Sequence, residues 1–577
     1  MAETKTPNTN AEQLITEHLD IWTTAIEQKS SSGRGSSKKF SLHGIKKLRE
    51  LILELAVRGK LVPQDPNDEP ASVLLERIAA EKAQLVKDKK IKKPKALPEI
   101  SDDEKPFDIP KGWEWTRLQD IIQISSGKNL TSKKMVQGGD VPVYGGNGIT
   151  GYHDTHNVSS STLVIGRVGF YCGSVHITPD SAWVTDNAFI TRFDEEGLFI
   201  EFLYWLFKNT DLSKNDSATA QPVISGSKVY PIVVAIPPTK EQHRIVAKVD
   251  ELMGLCDALE AQTENSIAAH QTLVEVLLEA LLKAPEEGAT TEQTAEQFQQ
   301  NWQRLSEHFD TLFTTTASID TLKQTILQLA VMGKLVPQNP NDEPAAKLLE
   351  RIAAEKAQLI KDKKIKKQKP LPEITDEEKP FELPEGWEWG RLGDLSSDIH
   401  YGYTASAKHN SDGVRLLRIT DIQDDKVDWS SVPACEITTQ KAQNYLLEND
   451  DILIARTGGT IGKSYLVENI DLEAVFASYL IRVRRVNYMY SPFIKVYLGS
   501  HLYWRQLYDN ASGTGQPNVN ATALKELVIP ISTLDEQHRI VTKVDELMTI
   551  CDQLKARLTD AQTTKLHLTD AIVEQAL

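Results

Sequence analysis

The stretch LAVRGKLVPQDPNDEPASVLLERIAAEKAQL, residues 55–85, returns almost unchanged as LAVMGKLVPQNPNDEPAAKLLERIAAEKAQL at 329–359. The agreement extends beyond this core: 45–121 and 319–395 align without a gap at an offset of 274. KDKKIKK recurs at 87–93 and 361–367, and GWEW at 112–115 and 386–389. A second block at an offset of 295 pairs EQHRIV at 241–246 with 536–541 and KVDELM at 248–253 with 543–548, which makes Cys256 and Cys551 equivalent. Self-similarity at fixed offsets is the mark of a chain built from repeated structural units. A weaker echo pairs EHLD at 17–20 with EHFD at 307–310; the first copy carries an extra Ser/Gly/Lys-rich insertion at 30–40 that reads as a flexible loop.

Each unit therefore runs arm, central segment, arm. The central segments, about 115 and about 135 residues long, scarcely resemble each other and share mainly a Gln-Pro step near their ends, Gln221-Pro222 and Gln516-Pro517. Near-identical arms imply one partner surface presented twice, and dissimilar centres imply two different ligands. Such an internal repeat suits pseudo-twofold geometry facing a two-part target.

Apolar residues at Ile45, Leu48, Ile52 and Leu55 have helical spacing, and Gly59 is a natural stop. PQDPNDEP at 63–70 is a turn, and 71–90 an Ala/Leu/Glu/Lys helix with KDKKIKK on a solvated helical face. A proline-punctuated link at 93–112 leads to GWEWTRLQDII, the opening strand of the central segment. The Pro-free stretch 240–282 reads as one helix of ~60 Å, with Val249, Leu252, Cys256, Leu259, Leu273, Val276, Leu277 and Leu281 on its apolar face. Its copy spans 535–577. The expected fold is mixed α/β (α+β): two globular domains separated by long antiparallel, coiled-coil-like helical regions.

With 577 residues, 40% hydrophobic and 25% charged, the composition is that of a globular protein. Lys plus Arg is 65 against 81 Asp plus Glu, a net charge of −16 that excludes coating nucleic acid by bulk charge. Nor is either central segment basic, with 10 Lys/Arg against 12 Asp/Glu over 111–235 and 14 against 17 over 387–530. No apolar run approaches the ~18 to 20 residues of a membrane span, and the N-terminus lacks an apolar signal core. The expected location is the cytoplasm, and four dispersed cysteines fit a reducing compartment without disulfides or structural zinc.

Two glycine-rich stretches resemble nucleotide loops. GGNGITG at 145–151 has the dinucleotide spacing but runs into turn-like YHDTHNVSSS, so it reads as a glycine-rich turn. TGGTIGKS at 457–464 begins with Thr457 where a phosphate-binding loop needs glycine, and SYLVEN opens no helix; it reads as a hairpin with Lys463 at its tip. Pro237-Pro238 lies between Ile236 and Thr239, so the Asp/Asn-Pro-Pro-aromatic motif of amino-methylating enzymes is missing, as are His-Glu-x-x-His and Gly-x-Ser-x-Gly. No catalytic or metal-ligating residue is proposed.

Groups able to read base edges and phosphates do cluster in the central segments. The first holds Lys128, Asn129, Lys133, Lys134, Tyr144, Asn147, Tyr152, His153 and Arg167; the second holds Tyr401, Tyr403, Arg415, Arg418, Arg456, Lys463, Gln516 and Asn518. The duplicated step Gln242-His243-Arg244 and Gln537-His538-Arg539 is either a partner contact or a helix cap.

The repeated arm with Pro110-x-GWEW and Pro384-x-GWEW, together with 221–253 (QPVISGSKVYPIVVAIPPTKEQHRIVAKVDELM) and 516–548 (QPNVNATALKELVIPISTLDEQHRIVTKVDELM), resembles the specificity subunit of type I restriction-modification systems. The resemblance runs from about residue 40 to the end. It implies two target-recognition domains, each reading one half of a split, asymmetric double-stranded DNA site. It also implies helical regions that bind two methyltransferase subunits, in an assembly completed by two motor/endonuclease subunits. No cofactor is then expected in this chain: S-adenosylmethionine belongs to the methyltransferase subunit, and ATP and Mg²⁺ to the motor subunit. On this reading residues 1–44 are an N-terminal helical extension with a flexible loop, 45–105 the first conserved arm and 106–238 the first recognition domain. Residues 239–379 are the central helical region, 380–533 the second recognition domain and 534–577 the C-terminal helix. The competing readings are a non-enzymatic coiled-coil scaffold with two protein-binding inserts and an ATP-using enzyme built on 457–464.

Overall fold

The computed structural model describes residues 11–28, 40–169, 172–213, 223–283, 291–408, 413–510 and 519–577. Most of the insertion at 30–40, the Gln221-Pro222 step, and Gln516 and Asn518 lie outside the described residues. The chain forms two compact units, one of residues 1–266 with 561–577 and one of 267–560.

In the first unit the arm helix His43–Val57 buries the Ile45, Leu48, Ile52 and Leu55 stripe. It ends at Gly59, whose φ of +66° lets the Lys60 amide reach back to the Leu55 carbonyl. The next helix, Ala71–Lys87, stops short of the lysine run: Asp88 caps it, Lys89 takes φ +56° and Lys90 bonds to Leu85. Most of KDKKIKK thus follows the helix end instead of riding on its face, and Lys363 repeats the arrangement at φ +59°. The N-terminal extension packs on the arm, with Trp22 fully buried and Gly44 against its backbone carbonyl, too close for any larger residue.

The central segment of the first unit opens and closes on one ribbon, Glu114–Arg117 antiparallel to Val233–Ile236. Between them, a four-stranded antiparallel sheet has the order Ile122–Ser126, Ala188–Phe193, Leu163–Gly166, Val175–Ile177. A hairpin of Val141–Gly145 and Gly148–His153 stands beside it, extended in parallel by Trp183–Val184.

The second unit builds the same frame from unlike residues. Glu388–Arg391 pairs with Val528–Ile531, and the main sheet runs Ser396–Tyr401, Leu480–Arg485, Ile452–Ala455, Ser464–Leu466. Arg415–Leu417 lies parallel to Ala474–Phe476, as Val141–Gly145 does to Trp183–Val184. Its arm comprises Thr316–Val331 and Ala345–Lys361.

The expected long helices are Thr239–Leu282 and Leu534–Ala576. One detail of the apolar face needs correction. Val249, Leu252, Cys256, Val274, Leu278 and Leu281 are buried, whereas Leu273 and Val276 are half-exposed. At 100° per residue, 274, 278 and 281 fall within about 40° of Cys256, while 273 and 276 lie about 100° and 160° away. Among the described residues, no helix is long and apolar enough to cross a membrane.

Candidate nucleic-acid interface

Each central frame is locked to its own arm by one duplicated set of contacts. Glu241, in the first turn of the long helix, accepts hydrogen bonds from the Trp113 indole (3.1 Å) and the Gln64 amide (3.2 Å). Glu536 does the same with Trp387 (2.9 Å) and Gln338 (2.7 Å). Burial pushes both carboxyls above their ordinary range, against the lowering effect of those donors. Arg244 pairs with Asp68 and Arg539 with Asp342, each at 2.7 Å. His243 and His538 pack on Phe199 and Tyr490, with ring centroids 4.1 and 4.0 Å apart.

Gln242 and Gln537, put forward with these neighbours as partner contacts, are buried. Gln242 accepts from the Phe199 amide and donates to the carbonyls of Gly197 and Pro237; Gln537 donates to the Ser532 carbonyl. A side chain enclosed and satisfied inside its own unit offers nothing to a partner, so the glutamines of this step are an internal lock.

A second duplicated lock orders the proline-rich link. Arg117, almost fully buried, forks onto Glu104 (2.9 Å to each oxygen) and onto the carbonyls of Pro98 and Pro231. Arg391 repeats this with Glu378, Pro372 and Glu526. The guanidinium and the backbone donor at Ser101 hold the Glu104 carboxyl down at about 2.

The main-chain bonds put the two central sheets in the same register at one end, although the second has an irregularity between Ser396 and Asp398 that the first lacks. Ala188 faces Gly166 as Leu480 faces Ala455, and Ser126 faces Phe189 as Tyr401 faces Ile481. Gly127 donates to the Ala188 carbonyl and Gly402 to that of Leu480; at both, a Cβ would meet a backbone carbonyl oxygen at 2.3 Å. Past the third strand, Arg167 receives Ile224 on its carbonyl (2.9 Å) and Arg456 receives Val519 (3.0 Å). Ser126, Lys128, Asn187 and Ser174 therefore correspond to Tyr401, Tyr403, Tyr479 and Lys463.

Several residues singled out from sequence share this rim. In the first unit Lys128 and Asn129 are exposed; Asn129 donates to Asp186 (3.0 Å), and Arg167 to the Ser126 hydroxyl (3.2 Å). Trp183 connects the rim to the hairpin, donating to the Lys128 carbonyl and taking the His153 ring edge-on at 5.4 Å. Asn147 and Tyr152 are exposed on that hairpin, while Lys133 and Lys134 are exposed on a separate turn. In the second unit Tyr401 and Lys463 are exposed, Tyr403 is half-buried, and Arg456 lies over the Tyr401 ring at 4.7 Å.

Other choices need correction. Tyr144 is a core residue, buried with Val164, Val184 and Ala188, so its ring faces its own domain. Arg418 is closed on Asp421 by two bonds of 2.6 and 3.0 Å, and Arg415 is half-buried with its guanidinium on the Val432 carbonyl. Ser126, Ser174, Asn187 and Tyr479 were missed. One signal could have found the rim: Arg-x-Gly-x-x-x-Gly occurs at 167–173 and again at 456–462.

The first glycine-rich look-alike is a β-hairpin; the second joins two strands through a short 3-10 turn at Gly458–Thr460, so Lys463 is not at the tip as expected but accepts the Ala455 amide on its carbonyl (2.8 Å) beside the strand. The Gly148–His153 strand follows the turn at 145–148 directly, and Ile452–Ala455 pairs antiparallel with Ser464–Leu466 across 457–463. Neither segment presents the helix N-terminus that cradles a phosphate chain.

One frame built twice on matched arms, with unlike polar and aromatic side chains around each rim, defines a two-domain recognition protein. Comparison with known proteins places it further. Residues 110–269 and 384–561 match the model of the type I restriction modification DNA specificity domain. The chain is 42% identical over 98% of its length to the whole of the type I restriction enzyme EcoAI specificity subunit of Escherichia coli. It is 41% identical, over 98% of this chain and 99% of the relative, to the EcoEI specificity subunit from the same species. A chain from a structural study of complex assembly in the type I R-M system covers 82% of this chain and 99% of its own length, at 18% identity and a TM-score of 0.47. The protein belongs to the family of type I restriction-modification DNA specificity subunits.

Proposed function

We propose that each unit reads one half of a bipartite, asymmetric double-stranded DNA site, and that the repeated arms dock two methyltransferase subunits. The observation that carries this reading is the correspondence of the two rims. Backbone register is shared, yet Ser126, Lys128 and Asn187 are replaced by Tyr401, Tyr403 and Tyr479, so identical frames present different chemistry. Direct readout depends on donor, acceptor and apolar patterns at base edges, and unlike rims select unlike sequences. Chemistry on the DNA then falls to partners: methyl transfer from S-adenosylmethionine in the methyltransferase subunits, and ATP- and Mg²⁺-dependent movement and cleavage in two motor/endonuclease subunits. With a net charge of −16, those partners supply much of the phosphate neutralisation. The cytoplasm is the compartment where such an assembly meets its DNA.

The decisive experiment is to co-express the chain with its methyltransferase partner in a methylation-free host and map N6-methyladenine at single-molecule resolution. A split motif with two different halves and a fixed gap is the expected result; an unmethylated genome despite a stable complex defeats the reading. The gap itself is testable. The helix Thr239–Leu282 belongs to the first unit as far as Ser266 and to the second from Ile267, without a break. Each residue inserted adds about 1.5 Å and 100°. Insertions or deletions within 254–282 are expected to change the number of unspecified base pairs while leaving both half-sites intact. Altered half-sites with an unchanged gap would refute this.

A further inference from the structure

The Arg-x-Gly-x-x-x-Gly recurrence joins two segments that otherwise differ, and the structure sets both copies in the same place. Arg167 and Arg456 each stand one residue beyond the third strand of the main sheet. Their amides donate to the carbonyls of Asn187 (2.9 Å) and Tyr479 (3.0 Å), and their carbonyls accept from Ile224 and Val519. Four main-chain bonds therefore fix two arginines identically, whatever the surrounding side chains.

The glycines show what this fixation serves. Gly169 and Gly458 hold φ of +94° and +80°, and a Cβ at either would meet nothing within 4 Å. Each is thus required by its left-handed backbone, and among the described residues no side chain crowds it. Gly173 and Gly462, at +89° and +80°, return the chain to the fourth strand. The guanidiniums lie over aromatic rings, Arg167 over Phe189 at 5.3 Å and Arg456 over Tyr401 at 4.7 Å. Such a contact restricts rotamers, and a guanidinium is a rigid fork of N–H donors suited to an anion. Among the described residues Arg167 donates only to uncharged oxygens, of Ser126 and Asp186.

What two unlike half-sites always have in common is the sugar-phosphate backbone, and contacts to it position a protein without reading sequence. We propose that Arg167 and Arg456 are matched phosphate anchors, one in each recognition domain. They set each domain's register on the duplex, while the unlike residues around them, Ser126, Lys128 and Asn187 against Tyr401, Tyr403 and Tyr479, discriminate bases. The proposal rests on the DNA-reading function above.

The test uses the full chain with its methyltransferase partner and short duplexes carrying either the mapped site or a scrambled one, titrated from 50 to 200 mM salt. Arg167→Ala and Arg456→Ala are each expected to weaken binding to both duplexes by the same factor and to lower the salt slope by about 1. The deficit against the parent then shrinks roughly three- to fourfold across that range. Arg167→Lys and Arg456→Lys keep the charge and the packing of the stem; they are expected to keep the parent's slope with part of its affinity, which separates anchoring from misfolding. A loss confined to the mapped site with relaxed preference at one base pair would make these arginines base readers and overturn the proposal, and unchanged binding in both alanine variants would also overturn it. If the parent complex itself fails to distinguish the two duplexes, the DNA-reading function fails, and the anchor with it.

Discussion

Glu241 and Glu536 are carboxyls placed where water does not reach, each 1% exposed and each the acceptor for a buried indole. Removing the acceptor leaves the Trp113 N–H buried and unpaired, at a cost of about 1–3 kcal/mol, so Glu241→Ala is expected to lower the urea midpoint of the first unit accordingly. Glu241→Gln keeps an acceptor without a charge, and pH separates it from the parent. The folded Glu241 value lies above the unfolded one, so the folded state holds its proton more tightly, and the parent's stability falls as pH rises through that window. The glutamine variant has no such loss, so its stability relative to the parent should climb from the ordinary carboxylate range upward. A difference that stays flat with pH would show that the carboxyl is not desolvated. The sequence marks the EQHR step as special by repeating it, but leaves partner contact and capping equally open. What encloses its glutamate is Trp113 and Gln64, brought in from 128 and 177 residues away, while His243 stays exposed. No local pattern reports such a distant enclosure.

Helix ends separate what local chemistry dictates from what tertiary packing dictates. Both arm helices of the first unit finish in the same bond pattern, with glycine in the left-handed position at 59 and lysine in that position at 89. Gly59 was legible as a stop because glycine adopts that conformation freely; Lys89 was not, so the lysine run was read as still helical. Their tolerance to substitution should be opposite. Gly59→Ala incurs about 1–2 kcal/mol from the left-handed backbone, and its Cβ would lie 2.5 Å from the Pro110 ring, so the first unit's thermal midpoint should drop by several degrees. Lys89→Ala already has its Cβ accommodated at an exposed site and loses only a charge favourable to the helix terminus, worth about 0.3–1 kcal/mol. Equal losses at the two positions would mean that the cap, rather than the packing against Pro110 and Trp113, sets the requirement. The shared sheet of the recognition domains was illegible for a related reason. Its register is written in main-chain hydrogen bonds, which unlike side chains satisfy equally well, and only Arg-x-Gly-x-x-x-Gly surfaces as sequence.

At the scale of the whole chain, the repeat closes on itself in a way that the linear order conceals. Reading along the sequence assigns the last helix to the end of the second half, yet residues 561–577 belong to the first unit. The offset of 295 that relates the long helices makes Leu577 the counterpart of Leu282, and the contacts obey it. In the first unit, Arg58 and Lys60 donate to the Leu577 carbonyl (3.2 and 2.7 Å); in the second, Lys334 donates to those of Leu281 and Lys283 (3.4 Å each). Thr569 and Ile572 are buried, and Asp570 reaches His43 (3.3 Å) and Lys47 (3.7 Å). Each arm is thus completed by the end of a long helix, 51 to 53 residues away in the second unit but 517 away in the first, so a tail covalently attached to the second half stabilises the first. Deleting residues 568–577 should therefore lower amide protection along His43–Val57 in hydrogen exchange while leaving Thr316–Val331 as in the parent, because the second unit keeps its own cover at 274–283. Protection lost along Thr316–Val331 instead would place the tail's stabilising role in the half to which it is joined, and the closed repeat would be wrong.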